Sequence, residues 1–319
     1  MSRIRSWFLR AARAERIDLR GKQMVVTGAA PGSIGFETAR QLAGWGADVV
    51  ITTRRNPEAV AAQLRERIAS EPGHGRIAAQ ALDLADAAST QAFITWLLST
   101  HGERLDVLIN NAGIHLDLLS QWKQAQLTPD GQERHWRTNY LGSLHLTLGL
   151  LPLLRQTGRQ FGEARLINVV SQLHAKGSNA DLFGMQRPYN SWFAYGNSKL
   201  ALMHAAQALQ RRHGATDQLK TYSLHPGAVY THIADQGLRG NPRLEAVRRA
   251  FAPVEAFFLL TPEEGAQTSV HCASSPTADG GRYWQRCQPA TASADSADTE
   301  VARRLLEATE AWYAGLPPQ

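Results

Sequence analysis

Cysteine is scarce in this chain, with two among 319 residues, Cys272 and Cys287. Neither stands in a Cys-x-x-Cys pair or at a Cys/His spacing that would hold a metal. That argues against a disulfide-stapled secreted fold and a zinc module, and no metal is expected. A reducing, cytoplasmic setting is the simple consequence. Long apolar runs are lacking as well. The N-terminal run Trp7-Phe8-Leu9 is far too short to span a bilayer, and it lacks the extended apolar centre of a signal peptide. No Pro/Ser-rich linker divides the chain and no internal repeat is evident.

Positive charge is in excess: the formal net charge is +6. Such a balance suits a nucleic acid, a membrane surface or a phosphorylated ligand. The arginines are spread along the chain without a nucleic-acid motif, so no nucleic-acid partner is expected. Residues 1–20 form a basic arm in which Arg3, Arg5, Arg10, Arg13 and Arg16 flank the short apolar run. Two readings of this arm stand. One is an amphipathic helix making weak contact with an anionic membrane surface. The other is an arm packed on the domain. The chain is 43% hydrophobic, enough for one substantial core, and residues 21–319 read as a single domain. The Ala/Ser/Asp stretch 290–299 reads as a surface loop.

Strand-like and helix-like segments alternate from residue 22 to about 225. Strands are expected at 22–27, 48–53, 76–82, 105–110, 164–170 and 219–225, with a last one at 281–284. Helices are expected at 34–45, 57–70, 87–100, 131–154 and 194–213. Two more are expected at 261–274, opening with the capped Thr-Pro-Glu-Glu, and at 299–313. This order predicts an α/β fold: one Rossmann-type, doubly wound parallel sheet of about seven strands with helices on both faces.

The turn Thr27-Gly28-Ala29-Ala30-Pro31-Gly32-Ser33-Ile34-Gly35 joins the first strand to the first helix. Glycine there lets backbone approach a pyrophosphate, and the helix N-terminus offers N–H groups to it. Gly28, Gly32, Ser33, Ile34 and Gly35 are therefore candidate cofactor contacts. The next strand ends in Thr52-Thr53-Arg54-Arg55. An NAD site would place an acid near this point for the ribose 2′-hydroxyl. Here there is no acid but two guanidinium groups, which suit a 2′-phosphate. NADP(H) is thus preferred over NAD(H), with Arg54 and Arg55 as its readers. Asp83-Leu84 and Asn110-Asn111-Ala112-Gly113 follow the third and fourth strands, where open α/β sheets bind ligands.

In their order and spacing, the glycine turn, Asn110–Gly113, Asn139, Ser171, Tyr195-Gly196-Asn197-Ser198-Lys199 and His225-Pro226-Gly227 resemble the short-chain dehydrogenase/reductase family. The likeness covers nearly the whole chain. Phe36-Glu37-Thr38-Ala39-Arg40, Tyr222–Gly227 and Thr261–Ala273 look like its retinol dehydrogenase-like branch. Members of that branch act on lipophilic alcohols and carbonyls, and usually use NADP(H) when Arg stands at the position of Arg54. The glycine turn carries one residue more than the family's pattern. Either Ser33 replaces the middle glycine, or Gly32 keeps that role and Ser33 is extra.

The chemistry expected follows from the residue types. An isolated Tyr has a pKa of about 10, and a nearby cation lowers it. Lys199 lies four residues after Tyr195, on the same helix face, so Tyr195 becomes usable as a general acid or base. The resemblance implies that Lys199 also holds the nicotinamide ribose and that Ser171 orients the substrate oxygen. It implies too that Asn139 holds a water linking Lys199 to solvent. Pro226, Gly227, Ala228 and Val229 would wall the nicotinamide, with Thr231 on its carboxamide. Residues 172–193, with Trp192 and Phe193, are expected to line a lipophilic pocket. So is the substrate loop at about 228–260, with Phe251, Phe257, Phe258, Leu259 and Leu260. His174 and His225 read as structural. Pairing through the helices at 131–154 and 194–213 is also implied, giving a homodimer or homotetramer. The leading reading is an NADP(H)-dependent reductase or dehydrogenase. The alternatives are a cofactor-sensing protein without turnover and a double-bond reductase.

Overall fold

The computed structural model describes residues 12–229 and 259–316. Thr231, Phe251, Phe257 and Phe258 lie outside the described residues. Along the chain run β1 (Gln23–Val26), α1 (Ile34–Gly44), β2 (Asp48–Thr53), α2 (Pro57–Ile68), β3 (Ile77–Ala81), α3 (Ala87–His101) and β4 (Val107–Asn110). A π-helical segment (Trp136–Leu141) leads into α4 (Gly142–Phe161), followed by β5 (Ala164–Val169). Short 3₁₀ turns at Gln172–Lys176 and Asn179–Asp181 precede α5 (Ser191–Asp217) and β6 (Leu219–His225). The chain closes with α6 (Pro262–Ser274), β7 (Arg282–Gln285), β8 (Gln288–Pro289) and α7 (Thr299–Ala314).

The strands form one sheet in the order β3-β2-β1-β4-β5-β6-β7-β8. All neighbouring pairs are parallel except β7 with the two-residue β8. The sheet thus has eight strands where about seven were expected. The extra strand follows a tight reversal in which Arg286 and Cys287 both take positive φ, 53° and 57°. The order of connection reverses between β1 and β4, and this is where an open α/β sheet leaves a crevice at its C-terminal edge.

Strand alternation sorts the core into two layers. Val25, Leu108 and Leu166 face one cluster with α3, α4, α5 and α7. Met24, Val26, Val107, Ile109 and Ile167 face the other, with α1, α2 and α6. Leu19 is buried in the second cluster, and Ala14 N–H donates to Gln267 Oε1. The part of the basic arm that is described therefore packs on the domain.

Three expectations need correction. The helix expected from Gly131 starts later. Thr128-Pro129-Asp130-Gly131 is instead a turn, closed by Gly131 N–H to Thr128 O at 2.9 Å, with Gly131 at φ 78°. That helix also runs past Leu154 to Phe161 with Pro152 inside it, and ends at Gly162 at φ 86°. Burial of its leucines outweighs the one backbone hydrogen bond that proline removes. The 290–299 stretch is more than a surface loop: Ser296 is buried and Asp295 holds the backbone of Asn179.

α4 and the first half of α5 are buried on nearly every side within their own chain. α7 covers α5 with Ala302, Leu305 and Leu306, and Tyr140 meets Thr309 through a 2.7 Å hydrogen bond. Pairing of two copies through these helices finds little free apolar surface among the described residues. No helix among the described residues is long and apolar enough to cross a membrane, and none of their His, Cys, Asp and Glu side chains group as a metal site.

Candidate active site

A cleft of about 840 Å³ opens along the C-terminal edge of the sheet. One end of it is made by the β1–α1 turn. Gly28 and Gly32 take left-handed φ values of 71° and 75°. Gly32 therefore keeps the special backbone geometry, and Ser33 is the helix cap. The Ser33 hydroxyl accepts from Phe36 N–H at 3.1 Å and donates to Gly28 O at 3.2 Å. Gly35 serves close packing: a Cβ there would come within 2.4 Å of Asn111 Nδ2 and 2.7 Å of Gly28 O. Asn111 in turn donates from Nδ2 to Thr27 O at 2.7 Å, tying the β4 end to the turn.

Of the predicted cofactor residues, the cleft is lined by Gly28, Ser33, Ile34, Arg54, Asp83, Leu84, Asn111, Ala112 and Gly113. Tyr195, Lys199, Pro226, Gly227 and Val229 line it as well. Gly32, Gly35 and Arg55 do not line it, and Thr231 lies outside the described residues. The β2 end offers Thr52, Thr53 and an exposed Arg54 with no carboxylate. A helix N-terminus, a close-packed glycine turn and a free guanidinium along one continuous cleft fit a dinucleotide.

At the other end stand Ser171, Tyr195 and Lys199. Ser171 follows β5 and caps the first 3₁₀ turn, its hydroxyl accepting from Leu173 N–H at 3.2 Å. Tyr195 and Lys199 project from α5, which starts cleanly because Asn190 Oδ1 accepts from Trp192 N–H. Gly196, beside Tyr195, lets the 172–177 turn lie on that helix, since a Cβ would sit 2.8 Å from Gly177 N. Lys199 Nζ donates to Val169 O at 3.1 Å and lies 5.7 Å from the Tyr195 ring centre.

The electrostatics differ from the sequence expectation. Burial pushes Tyr195 up to about 12, and the Ser171 hydroxyl pulls it only partly back. Burial also lowers Lys199 to about 8. In the protein alone, then, desolvation of the phenolate dominates over the Ser171 hydrogen bond. Tyr195 rests as a neutral phenol, a proton donor.

Asn139 is fully buried and does not line the cleft. Its Oδ1 accepts from Ile114 N–H at 2.8 Å, and its Nδ2 donates to Ile114 O at 3.0 Å and Ser198 Oγ at 3.1 Å. The side chain locks the segment after Gly113 against α5.

The sequence reading missed a third wall. Ile114, His115, Leu116, Leu118, Leu119 and Trp122 line the cleft beside Tyr195. His115 stacks on the Tyr195 ring at 4.0 Å and 13°. Burial holds its imidazole near a pKa of about 3, so it is neutral at ordinary pH. The available signal was an apolar segment directly behind a strand's C-terminal end. Residues 172–193, by contrast, do not line the cleft. Trp192 packs edge-on against His115 at 4.8 Å and donates to Leu118 O, while Phe193 lies under the Arg187 guanidinium at 3.7 Å. His225, read as structural, does line the cleft.

Comparison with known proteins agrees with this geometry. The family model described as short chain dehydrogenase matches residues 22–240. A Streptomyces antibioticus protein named probable oxidoreductase is 36% identical, over 91% of this chain and 97% of its own length. Human retinol dehydrogenase 11 is 35% identical, over 91% of this chain and 85% of its own. Among solved structures, the Pseudomonas aeruginosa RhlG/NADP active-site complex superposes with a TM-score of 0.61 at 24% identity, covering 88% of this chain and 97% of that one. A Brucella melitensis 3-ketoacyl-(acyl-carrier-protein) reductase complexed with NADH gives 0.60 at 23%, covering 88% and 100%. With a cleft fitted to a dinucleotide and a Ser, Tyr and Lys gathered at one end of it, the chain belongs to the short-chain dehydrogenase/reductase family, is retinol dehydrogenase-like, and is an NAD(P)-dependent oxidoreductase.

Proposed function

We propose that this chain moves a hydride between NADP(H) and a lipophilic alcohol or carbonyl compound, with Tyr195 as the general acid/base. The observation that carries the reading is the convergence of Ser171, Tyr195 and Lys199 on the cleft end opposite Arg54. NADP(H), when bound, supplies or accepts the hydride. Tyr195, neutral with a pKa near 12, holds the proton that a carbonyl oxygen needs on reduction. Ser171, whose hydroxyl already interacts with the Tyr195 phenol, aligns that oxygen. Lys199 offers its ammonium to the ribose hydroxyls and brings positive charge beside the phenol, easing proton release in the alcohol-oxidising direction. Arg54 supports the 2′-phosphate assignment, since it faces the cleft and no acid stands at the β2 end. Ile114, Leu116, Leu118 and Leu119 support a lipophilic substrate, because an apolar wall favours an apolar body beside a polar reacting end. Asn139 serves by holding the segment after Gly113 in place, its side chain being spent on Ile114 and Ser198.

The deciding experiment follows NADPH consumption against a panel of aldehydes, ketones and sterols. Tyr195→Phe is expected to lower turnover by about 100- to 10,000-fold while NADPH binding, read by fluorescence, persists. Undiminished turnover in that variant overturns the assignment.

A further inference from the structure

His174 sits three residues beyond Ser171 and is buried, outside the set of groups that line the cleft. Both of its ring nitrogens are engaged. Nδ1 lies 2.7 Å from Ser171 O, which also accepts His174 N–H at 3.0 Å. Nε2 lies 3.1 Å from Ser293 N, a backbone donor. A carbonyl can only accept and an N–H can only donate. The imidazole is therefore locked as the neutral Nδ1–H tautomer, donating to Ser171 and accepting from Ser293. The groups around it agree with a neutral ring. Tyr283 packs edge-on at 5.1 Å, His225 lies close enough to disfavour a second charge, and burial lowers the His174 pKa.

The far side of this contact is itself anchored. Asp295 accepts from Asn179 N–H through Oδ2 at 2.9 Å, and its carbonyl accepts from Asn179 Nδ2 at 2.9 Å. Asn179 Oδ1 pairs with His204 Nε2, on α5, at 2.8 Å. The C-terminal segment 293–296 thus clasps the loop that begins at Ser171.

We propose that His174 is a positioning residue for Ser171: it fixes the Ser171 backbone from one ring nitrogen and fastens it to the C-terminal segment from the other. This inference rests on the role given to Ser171 above. Its physical basis is that Ser171 stands past the end of β5, where its carbonyl is held by the His174 backbone N–H and ring, and a small displacement of a positioned group can lower rate about a hundredfold.

Two near-isosteres separate the ring's two contacts. The Asn amide nitrogen reaches where Nδ1 stands, and the Gln amide reaches where Nε2 stands. Turnover with NADPH should fall in the order wild type, His174→Asn, His174→Gln, with the Gln variant losing about tenfold or more in kcat and the KM for NADPH staying within twofold. Equal losses in the two variants, or losses confined to KM, overturn the proposal. Independently of activity, two-bond ¹⁵N–¹H spectra of the full chain should show His174 as the Nδ1–H tautomer; the Nε2–H tautomer or a protonated ring at pH 7 overturns it. Ser171→Ala keeps the two ideas apart. Undiminished turnover there refutes the Ser171 role, whereas the tautomer reports on His174 alone.

Discussion

At the β2 end of the cleft, Arg54 and Arg55 are exposed and have no ion-pair partner among the described residues. At the β5 end, Tyr195 and Lys199 are buried, and the Asn139 and Ser198 side chains behind them are hydrogen-bonded throughout. The difference is one of solvation. An exposed guanidinium keeps its water until a phosphate replaces it. A buried ammonium or phenol must be held by neighbours, because an unpaired polar group in the interior is costly. The cofactor-reading end is therefore free to vary with little effect on folding, whereas the reactive end is coupled to the stability of the whole domain.

Substitutions should split along the same line. The largest effect is expected for Lys199→Met, which should abolish most turnover yet raise stability at pH 7 by about 1–3 kcal/mol. The sign follows from the pKa. Lys199 is held at about 8, below its ordinary 10.5, so between those values the folded chain binds fewer protons than the unfolded one. The penalty of the buried charge is full below about 8 and fades as pH rises toward 10.5. Urea unfolding of both proteins from pH 7 to 10 should show the gap closing; a gap independent of pH would remove burial as its cause.

Arg54→Ala comes next. It should raise the Michaelis constant for NADPH about tenfold, leave that for NADH nearly unchanged, and not move Tm. Equal effects on the two cofactors would refute the 2′-phosphate contact. The smallest effect is expected at His115, which joins the apolar wall to the reactive end. His115→Ala should lower kcat by up to about tenfold through loss of the stack on Tyr195, and His115→Phe should restore most of it. If Phe is as impaired as Ala, the imidazole matters for its nitrogens rather than its face.

Much of the frame could be read directly. β2 and β6 occupy the spans expected of them, and Thr261 forms the anticipated capping box with Glu264. Elsewhere turn chemistry or tertiary burial decides the outcome over local periodicity. Gly131 reads as the start of a helix by periodicity, although Pro129, Asp130 and Gly131 together favour a turn. The helix expected to end at Leu154, already past Pro152, is carried on to Phe161 by the buried apolar face of α4. The aromatic pair at Trp192 and Phe193 pointed to a pocket, but the cleft wall came from the Ile114–Trp122 segment.

Sequence alone determined the strand–helix alternation, the glycine turn, the absence of an acid after β2 and the four-residue spacing of Tyr195 and Lys199. Each of these depends on periodicity or on residue type within a few positions. Tertiary structure alone decided that His115 lies on the Tyr195 ring, that α7 covers α5, and that His174 joins Ser171 to Ser293, a contact 119 residues apart in the chain. It also decided the protonation of the phenol. Burial depends on what the whole chain places around a side chain, and no local pattern encodes that.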